Sequence, residues 1–288
     1  MFDLFAKGVD QETLPRLEAH YREVGERAGI PFEVGPGRTM FMDTYAMQAA
    51  LHMKRWGTTQ RQIAAGAAKN HAYGARNPLA QYRFETTVDQ VMADRAVSWP
   101  LTRSMCAPIG DGAAAALVCS ADFLAAQPAQ VRARAVRVAA SAFSGGKYRS
   151  AEEAGLSRIA AQKAYKSAGL TPSDIDVAEV HDATSFCEIY QVEMLGFCGD
   201  GEGGAFVESG ATGPDGPIPV NTSGGLVSKG HPVGATGLSM VAELVTQLRG
   251  EAGDRQVADA RLALAENGGG VIGLEEAACS VLILARAD

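Results

Sequence analysis

The second half of the chain alternates between strand-like and helix-like segments, and this alternation constrains the fold more than any other feature. Apolar runs predict strands at 131–142, 175–180, 257–265 and 277–285, and a short extended piece at 217–220. Amphipathic patterns predict helices at 154–168, 184–195 and 237–250. Strands that alternate with helices predict a layered α/β domain with a five-stranded core sheet, which a hairpin-like pair of strands closes.

The first 130 residues follow a less regular pattern. Apolar stripes predict helices at 12–28, at 40–55 and from Thr58 or Thr59 to His71. His71 itself is expected to be a solvated histidine at a loop. Gly112–Ser120, an apolar run after a Gly-Asp-Gly turn, is expected to be a buried strand or a tightly packed segment. We therefore divide the chain into two domains, 1–130 with a loop region and 131–288.

Composition narrows the class of protein. The net charge is −7 with no long block of one sign, which argues against nucleic acid as the main partner. No apolar run reaches the ~18 residues that a membrane span needs, and the first ten residues do not resemble a secretory signal. The five cysteines form no CxxC pair, so free thiols in a reducing cytoplasm are expected. We expect no metal site.

Seventeen residues at 221–237, NTSGGLVSKGHPVGATG, carry the strongest chemical signal. The Gly224-Gly225 pair allows a turn with positive φ or a close approach to a ligand. His231 lies between a glycine and Pro232, so its backbone is fixed just before a helix. A histidine held in this way can act as a general base and as a donor to an oxyanion. The alternative is an incidental histidine in a structural turn, but the length of the string favours a functional site.

This string resembles the thiolase motif, in which a Gly-Gly turn precedes Gly-His-Pro and Gly-Ala-(Ser/Thr)-Gly. Gly110–Ala115 (GDGAAA) resembles a segment near the end of the thiolase N-terminal domain. Val180–Ala183 (VHDA) falls where sterol-carrier-type thiolases have His-Asp-Cys-Phe and other thiolases have Asn-Glu-Ala-Phe. Glu266–Gly270 (ENGGG) falls at the Cys-x-Gly-Gly-Gly position. The resemblance covers essentially the whole chain and implies a thiolase-like layered α/β fold, with the C-terminal half complete and the N-terminal half partial.

The resemblance also implies roles for individual residues. His231 would activate a nucleophilic cysteine and donate to the thioester oxyanion, while His181 would hold an oxyanion-hole water. The backbone N–H of Gly268 would serve a second oxyanion hole. The residues expected near the substrate are Ser157, Asn221, Ser223 and Gly224. Coenzyme A is then a substrate, and no cofactor is permanently bound.

Two departures from the family pattern limit this comparison. The segment that carries the nucleophilic cysteine in thiolases has no counterpart here. The two positions at which thiolases place a second catalytic cysteine hold Glu266 and Ala183. Glu266 is therefore a candidate acid/base, because a poorly solvated carboxyl can have a raised pKa; the alternative is a strand-end glutamate that faces water or pairs with an arginine. Cys187 lies one helical turn after Ala183 and is a poor substitute for the thiol.

Three functions follow from the resemblance and stay open on the sequence. The first is an acyltransferase for 3-ketoacyl-CoA thiolysis or acetyl-CoA acetyl transfer, inactive without the missing segment or a partner. The second is a thiolase-fold carbon–carbon lyase (aldolase) on CoA esters, and the third is a non-catalytic subunit. The intact His231 motif favours the first. The resemblance further implies acyl-CoA and CoA as ligands, a homodimer or homotetramer, and room for a small partner subunit.

Overall fold

The computed structural model describes residues 14–30, 32, 40–150 and 152–287. Its helices are α1 (Leu14–Ala28), α2 (Met40–Trp56), α3 (Gln60–Ala75), α4 (Val88–Ala93), α5 (Ala121–Ala125), α6 (Ala129–Arg132), α7 (Leu156–Ala168), α8 (Ser185–Met194), α9 (Gly203–Glu208), α10 (Gly225–Lys229) and α11 (Thr236–Leu248). Its strands are β1 (Ala96–Ser98), β2 (Leu101–Thr102), β3 (Val136–Gly145), β4 (Val177–Glu179), β5 (Leu262–Gly269) and β6 (Ala278–Arg286). The predicted helix start at residues 12 and 13 lies outside the described residues.

The main sheet has the order β3-β6-β5-β4. The β5–β6 and β3–β6 pairs are antiparallel, whereas β4 and β5 are parallel. On β6, Val281 and Ile283 join the core cluster that contains α7, while Leu282 and Leu284 pack with α11. Because alternate residues of a strand face opposite sides, the two helices cover opposite faces of the sheet. The predicted layered α/β fold and its hairpin-like closing pair are confirmed.

The predicted fifth strand is reduced to a single bridge. Val220 bridges to Ala178 on β4, and the neighbouring backbone bonds run from Ala178 N–H to Pro219 C=O and from Asn221 N–H to Ala178 C=O. Pro217 and Pro219 have no N–H, so the segment 217–220 cannot extend a ladder. The expectation of a five-stranded core is therefore wrong by one strand.

Other elements differ from their predictions where neighbouring residues or elements outweigh the local sequence pattern. The predicted strand at 131–142 begins later, because α6 follows Pro128 and β3 starts only at Val136. The segment 112–120 forms no strand and is not buried: Leu117 and Val118 are almost fully exposed. No strand among the described residues pairs with it, so its apolar side chains remain in solvent. His71, expected in a solvated loop, is buried on α3 and stacks with Phe84.

The N-terminal helices pack around the segments that carry the predicted site. Helix α3 begins with a capping box at Thr59 and contacts both α8 and α10. Helices α1 and α2 form a separate apolar cluster with Val271 and Leu274, in the loop after β5. Among the described helices, none is long and apolar enough to cross a membrane. The division at residue 130 stays a prediction.

Candidate active site

Backbone geometry fixes His231 between two helices. Helix α10 ends at Lys229, and Gly230 adopts a φ of +107°, which favours glycine. The His231 N–H donates to the Pro108 carbonyl at 3.3 Å. Pro232 then leads into α11. The chain on both sides of His231 is thus anchored, and its ring is held at the junction that the sequence predicts.

The hydrogen bonds around His231 define its tautomer. His231 Nδ1 lies 2.8 Å from Thr236 Oγ1, and that hydroxyl donates its only proton to the Pro232 carbonyl at 3.1 Å. When the hydroxyl donates to Pro232, it accepts a hydrogen bond from Nδ1–H of the imidazole. A neutral histidine with its proton on Nδ1 keeps the lone pair of Nε2 available. This is the form that a general base requires.

His181 lies directly beside His231. It follows β4, and the two imidazole centroids are 5.1 Å apart with the rings edge to face. Burial, reinforced by the charge of His231, lowers the pKa of His181 to about 3. Burial, reinforced by Lys229, lowers the pKa of His231 to about 4. Both rings are therefore neutral at physiological pH, and His181 Nδ1 has no protein partner among the described residues.

Glu266 connects His181 to the region of two other predicted residues, Ser157 and Gly268. Its side chain is fully buried, so the alternative of a solvated strand-end glutamate is wrong. Glu266 Oε2 accepts from the His181 N–H at 3.1 Å, and Oε1 accepts from the Cys279 thiol at 3.3 Å. Cys279 lies beside Ser157 and pairs with Gly268 across the β5–β6 ladder. Burial, then repulsion from Glu276, raises the pKa of Glu266.

The remaining predicted residues hold the loop in place. Asn221 Oδ1 accepts from the Val180 N–H at 2.9 Å. Ser223 donates both its N–H and its hydroxyl to Glu179. A Cβ on Gly224 would lie 2.7 Å from Gly74 Cα, so only glycine allows this approach. Contact of these three residues with substrate stays a prediction.

A buried polar network behind the histidines was not visible in the sequence. Asp182 accepts from the Leu226 N–H at 2.6 Å and from Asn70 Nδ2 at 2.8 Å, which anchors the first turn of α10. Glu188 accepts from Lys69, Asn70, Thr212 and Asn221. These residues belong to four separate segments, and no short motif marks them. The network fixes α3, α8 and the His231 loop relative to one another.

A cavity of ≈ 730 Å³ opens between α1, α2, α8 and the segment 149–158. A second space, large enough for about one water, shares Gln48, Leu274 and Glu275 with it. Tyr45 and Glu276 line the second space, and Gln48 Nε2 donates to the Leu274 carbonyl between the two. The large cavity therefore adjoins, on the side of α2, the small space that Glu276 lines.

None of the five cysteines, all of which are described, hydrogen-bonds to either histidine. Cys106 donates to the Thr102 carbonyl, Cys187 pairs with Thr184, and Cys279 pairs with Glu266. Burial raises the pKa of Cys106, Cys187 and Cys198 to about 12. These thiols are protonated and are poor nucleophiles. Within the described ranges, no group of three His, Cys, Asp or Glu side chains is arranged to hold a metal ion.

The sheet with helices on both faces and the adjoining histidines define the class: this is a protein with a thiolase-like fold. A family model described as thiolase C-terminal domain-like matches residues 151–285. The chain is 46% identical over 238 residues to an acetyl-CoA acetyltransferase of Methanothermobacter thermautotrophicus, covering 81% of this chain and 61% of that protein. The resemblance to the thiolase family that the motifs predict is confirmed.

Two further similarities extend the comparison. Sterol carrier protein 2 of Homo sapiens is 42% identical over 246 residues, which cover 80% of this chain and 45% of that protein. A solved structure titled Ltp2-ChsH2(DUF35) aldolase superposes with a TM-score of 0.74 at 25% identity, covering 86% of this chain and 64% of that one. The chain thus spans less than two thirds of the length of each of these relatives.

Proposed function

We propose that this chain supplies the general base and the oxyanion-stabilising groups of a thiolase-type acyltransferase that acts on acyl-CoA thioesters. The observation that carries the proposal is the hydrogen bond between His231 Nδ1 and Thr236, which leaves Nε2 without a hydrogen-bond partner among the described residues and beside the His181 ring. A base needs an available lone pair at neutral pH, and this hydrogen-bond arrangement supplies one. Coenzyme A enters as a substrate, and the proposal includes no permanently bound cofactor.

In this proposal His231 Nε2 takes the proton of a nucleophilic thiol, and the thiolate attacks the 3-keto carbonyl of a 3-ketoacyl-CoA. The carbonyl oxygen becomes negative and accepts hydrogen bonds from the oxyanion site. Cleavage of the Cα–Cβ bond releases the enolate of acetyl-CoA, which is protonated, and leaves the shortened acyl group on sulfur. Attack by CoA then forms the shorter acyl-CoA and returns the thiol. The reverse sequence transfers an acetyl group.

We propose that the nucleophilic thiol comes from outside these 288 residues, because no cysteine of the chain has a contact that would activate it. An upstream segment of the polypeptide or a partner chain are both suitable sources. The exposure of Leu117 and Val118 is an argument for a further structural element that covers this surface. Homodimer or homotetramer formation, a small partner subunit and a cytoplasmic location belong to the same proposal.

A carbon–carbon lyase is the second candidate. The superposition with a structure titled as an aldolase, and the alanine at position 183 where sterol-carrier-type thiolases have cysteine, both favour it. A retro-aldol cleavage needs no thiol, since the reaction breaks a bond beside a β-hydroxyl group. The intact His231 arrangement supports the acyltransferase as the first choice.

Product analysis with the complete protein tests the proposal. Incubation with a 3-ketoacyl-CoA is expected to yield acetyl-CoA and a shortened acyl-CoA only when free CoA is added. A 3-hydroxyacyl-CoA should remain intact in the same assay. Release of an aldehyde or ketone from the 3-hydroxyacyl-CoA without CoA would instead establish the lyase, and failure to cleave either substrate would overturn the catalytic proposal.

A further inference from the structure

Glu276 lies in the loop between β5 and β6 and faces Gly268. A Cβ built on Gly268 would lie only 2.3 Å from Glu276 Cγ, so the carboxyl side chain passes directly over this glycine. Glu276 also lines the small space next to the large cavity, and Gln191 Nε2 lies 3.4 Å from its Oε1. Unlike the fully buried Glu266, Glu276 keeps partial access to solvent.

Glu266 and Glu276 lie on the same face of β5. Residues 266 and 268 point to one side of the strand, and Glu276 covers residue 268. Both oxygens of Glu266 already accept hydrogen bonds, one from the His181 N–H and one from the Cys279 thiol. Glu266 thus holds His181 in place, whereas Glu276 borders the small space that adjoins the large cavity.

We propose that Glu276 is the acid/base group that moves the α-proton of the thioester at this site, and that Glu266 is a positioning residue for His181. The inference deepens the proposed acyltransferase and rests on it. A second proton carrier is needed because the positions of the second catalytic cysteine hold Glu266 and Ala183. Nothing in the sequence motif marks Glu276, which lies eight residues after Gly268.

The chemistry is a reversible enolisation. The Glu276 carboxylate takes the α-proton, and the electron pair of the broken C–H bond forms the enolate of the thioester. The negative charge moves to the thioester oxygen, where oxyanion-site donors stabilise it. In heavy water, the proton on Glu276 exchanges with solvent and a deuteron returns to the α-carbon. This exchange needs no nucleophilic thiol, so it reports on Glu276 separately from acyl transfer.

The surroundings of Glu276 tune its proton affinity. The titratable or charged groups that interact with it are Tyr45 on α2, Arg149 in the 147–155 segment, Cys187 and Tyr190 on α8, Glu266 on β5, Cys279 on β6 and Glu275 in its own loop. Burial, reinforced by Glu275 and opposed by Arg149, raises the pKa of Glu276 to about 7. The base form therefore accumulates as pH rises through neutrality, and exchange should increase with pH and then level off.

Deuterium incorporation into acetyl-CoA by the complete protein, followed by mass spectrometry, tests the inference. Glu276→Gln should lower the exchange rate by about 10²-fold and remove the rise with pH near neutrality. Glu276→Asp, which keeps a carboxyl group, should retain more exchange than Glu276→Gln. Glu251→Gln, which changes an exposed glutamate paired with Arg134, is the control and should exchange at the wild-type rate. Melting temperatures of all variants identify any that fail to fold.

Exchange by Glu276→Gln within about 3-fold of wild type would overturn the inference. Absence of exchange in a wild-type protein that still cleaves 3-ketoacyl-CoA would also overturn it, while leaving the acyltransferase intact. If the wild-type protein neither exchanges nor cleaves, the proposed function fails and the role of Glu276 fails with it. A Glu276→Gln variant that is unfolded while Glu276→Asp is folded and exchanges no faster than background contradicts the inference as well.

Discussion

In the proposed acyltransferase, replacing His231 with alanine is expected to lower the rate of CoA-dependent cleavage of a 3-ketoacyl-CoA by ~10² to 10⁴-fold, the range for losing a general base. The Nδ1–H of His231 is committed to Thr236, so the ring can accept a proton only at Nε2. His181, the neighbouring imidazole, is the weaker base, because it is buried more deeply and its pKa is lower still. The measurement is kcat by steady-state assay.

Two variants control this experiment. His20→Gln, on helix α1, changes a histidine whose ring contacts Tyr21 and Tyr148, and it should leave kcat unchanged. Thr236→Val removes the acceptor that fixes the tautomer while keeping the imidazole, so it should lower kcat less than His231→Ala and shift the acidic limb of the pH profile. Retention of more than about a tenth of wild-type kcat by His231→Ala would show that the histidine is not the base.

The second large effect concerns stability. Replacing Lys69 with methionine should lower the free energy of unfolding by about 3–5 kcal/mol, because it leaves the buried charge of Glu188 without its partner. Glu188 has no solvent exposure, and the side chain of Lys69 is only 13% exposed. Lys69 also donates to the carbonyl of Val220 at 2.7 Å, so the loss loosens the segment that precedes the His231 loop. Urea denaturation measures the change.

The same helix supplies the matched control. Arg61 on α3 pairs with Asp89 at 2.9 Å, but the two side chains are 56% and 84% exposed. Arg61→Met should cost less than about 1 kcal/mol, the usual value for a surface pair. The double variant Lys69→Met/Glu188→Gln should recover part of the loss, since it removes the orphaned charge. Equal destabilisation by Lys69→Met and Arg61→Met would contradict the role assigned to the buried network.

The sequence predicted the second half well because its signals are local. Strand alternation and helix periodicity reflect which face is buried, and Gly169 ends α7 in the left-handed conformation expected of a helix C-cap. The prediction that segment 112–120 is buried was wrong for the opposite reason. Its apolar composition predicts burial, but burial needs a neighbouring element, and none of the described elements covers Leu117 or Val118.

The candidate site also contains residues that local sequence signals identified and residues that they did not. Motifs identified His181, His231, Glu266 and Gly268, and the structure connects them through Glu266 and Cys279 although they lie on separate segments. Lys69, Asp182, Glu188 and Glu276 were not assigned a role from the sequence. Their importance depends on burial and on partners up to 151 residues away in the chain, which no local pattern encodes.

Mapping the acyl-enzyme intermediate tests the central claim most directly, namely that the histidine pair acts on a thiol outside these 288 residues. The complete protein is mixed with a 3-ketoacyl-CoA, quenched in acid, digested and analysed by mass spectrometry for an acylated cysteine. We expect the acyl group on a cysteine outside residues 1–288, and neither acylation nor turnover by the 288-residue chain alone. An acyl group on Cys106, Cys119, Cys187, Cys198 or Cys279, or robust turnover by that chain alone, would contradict the account.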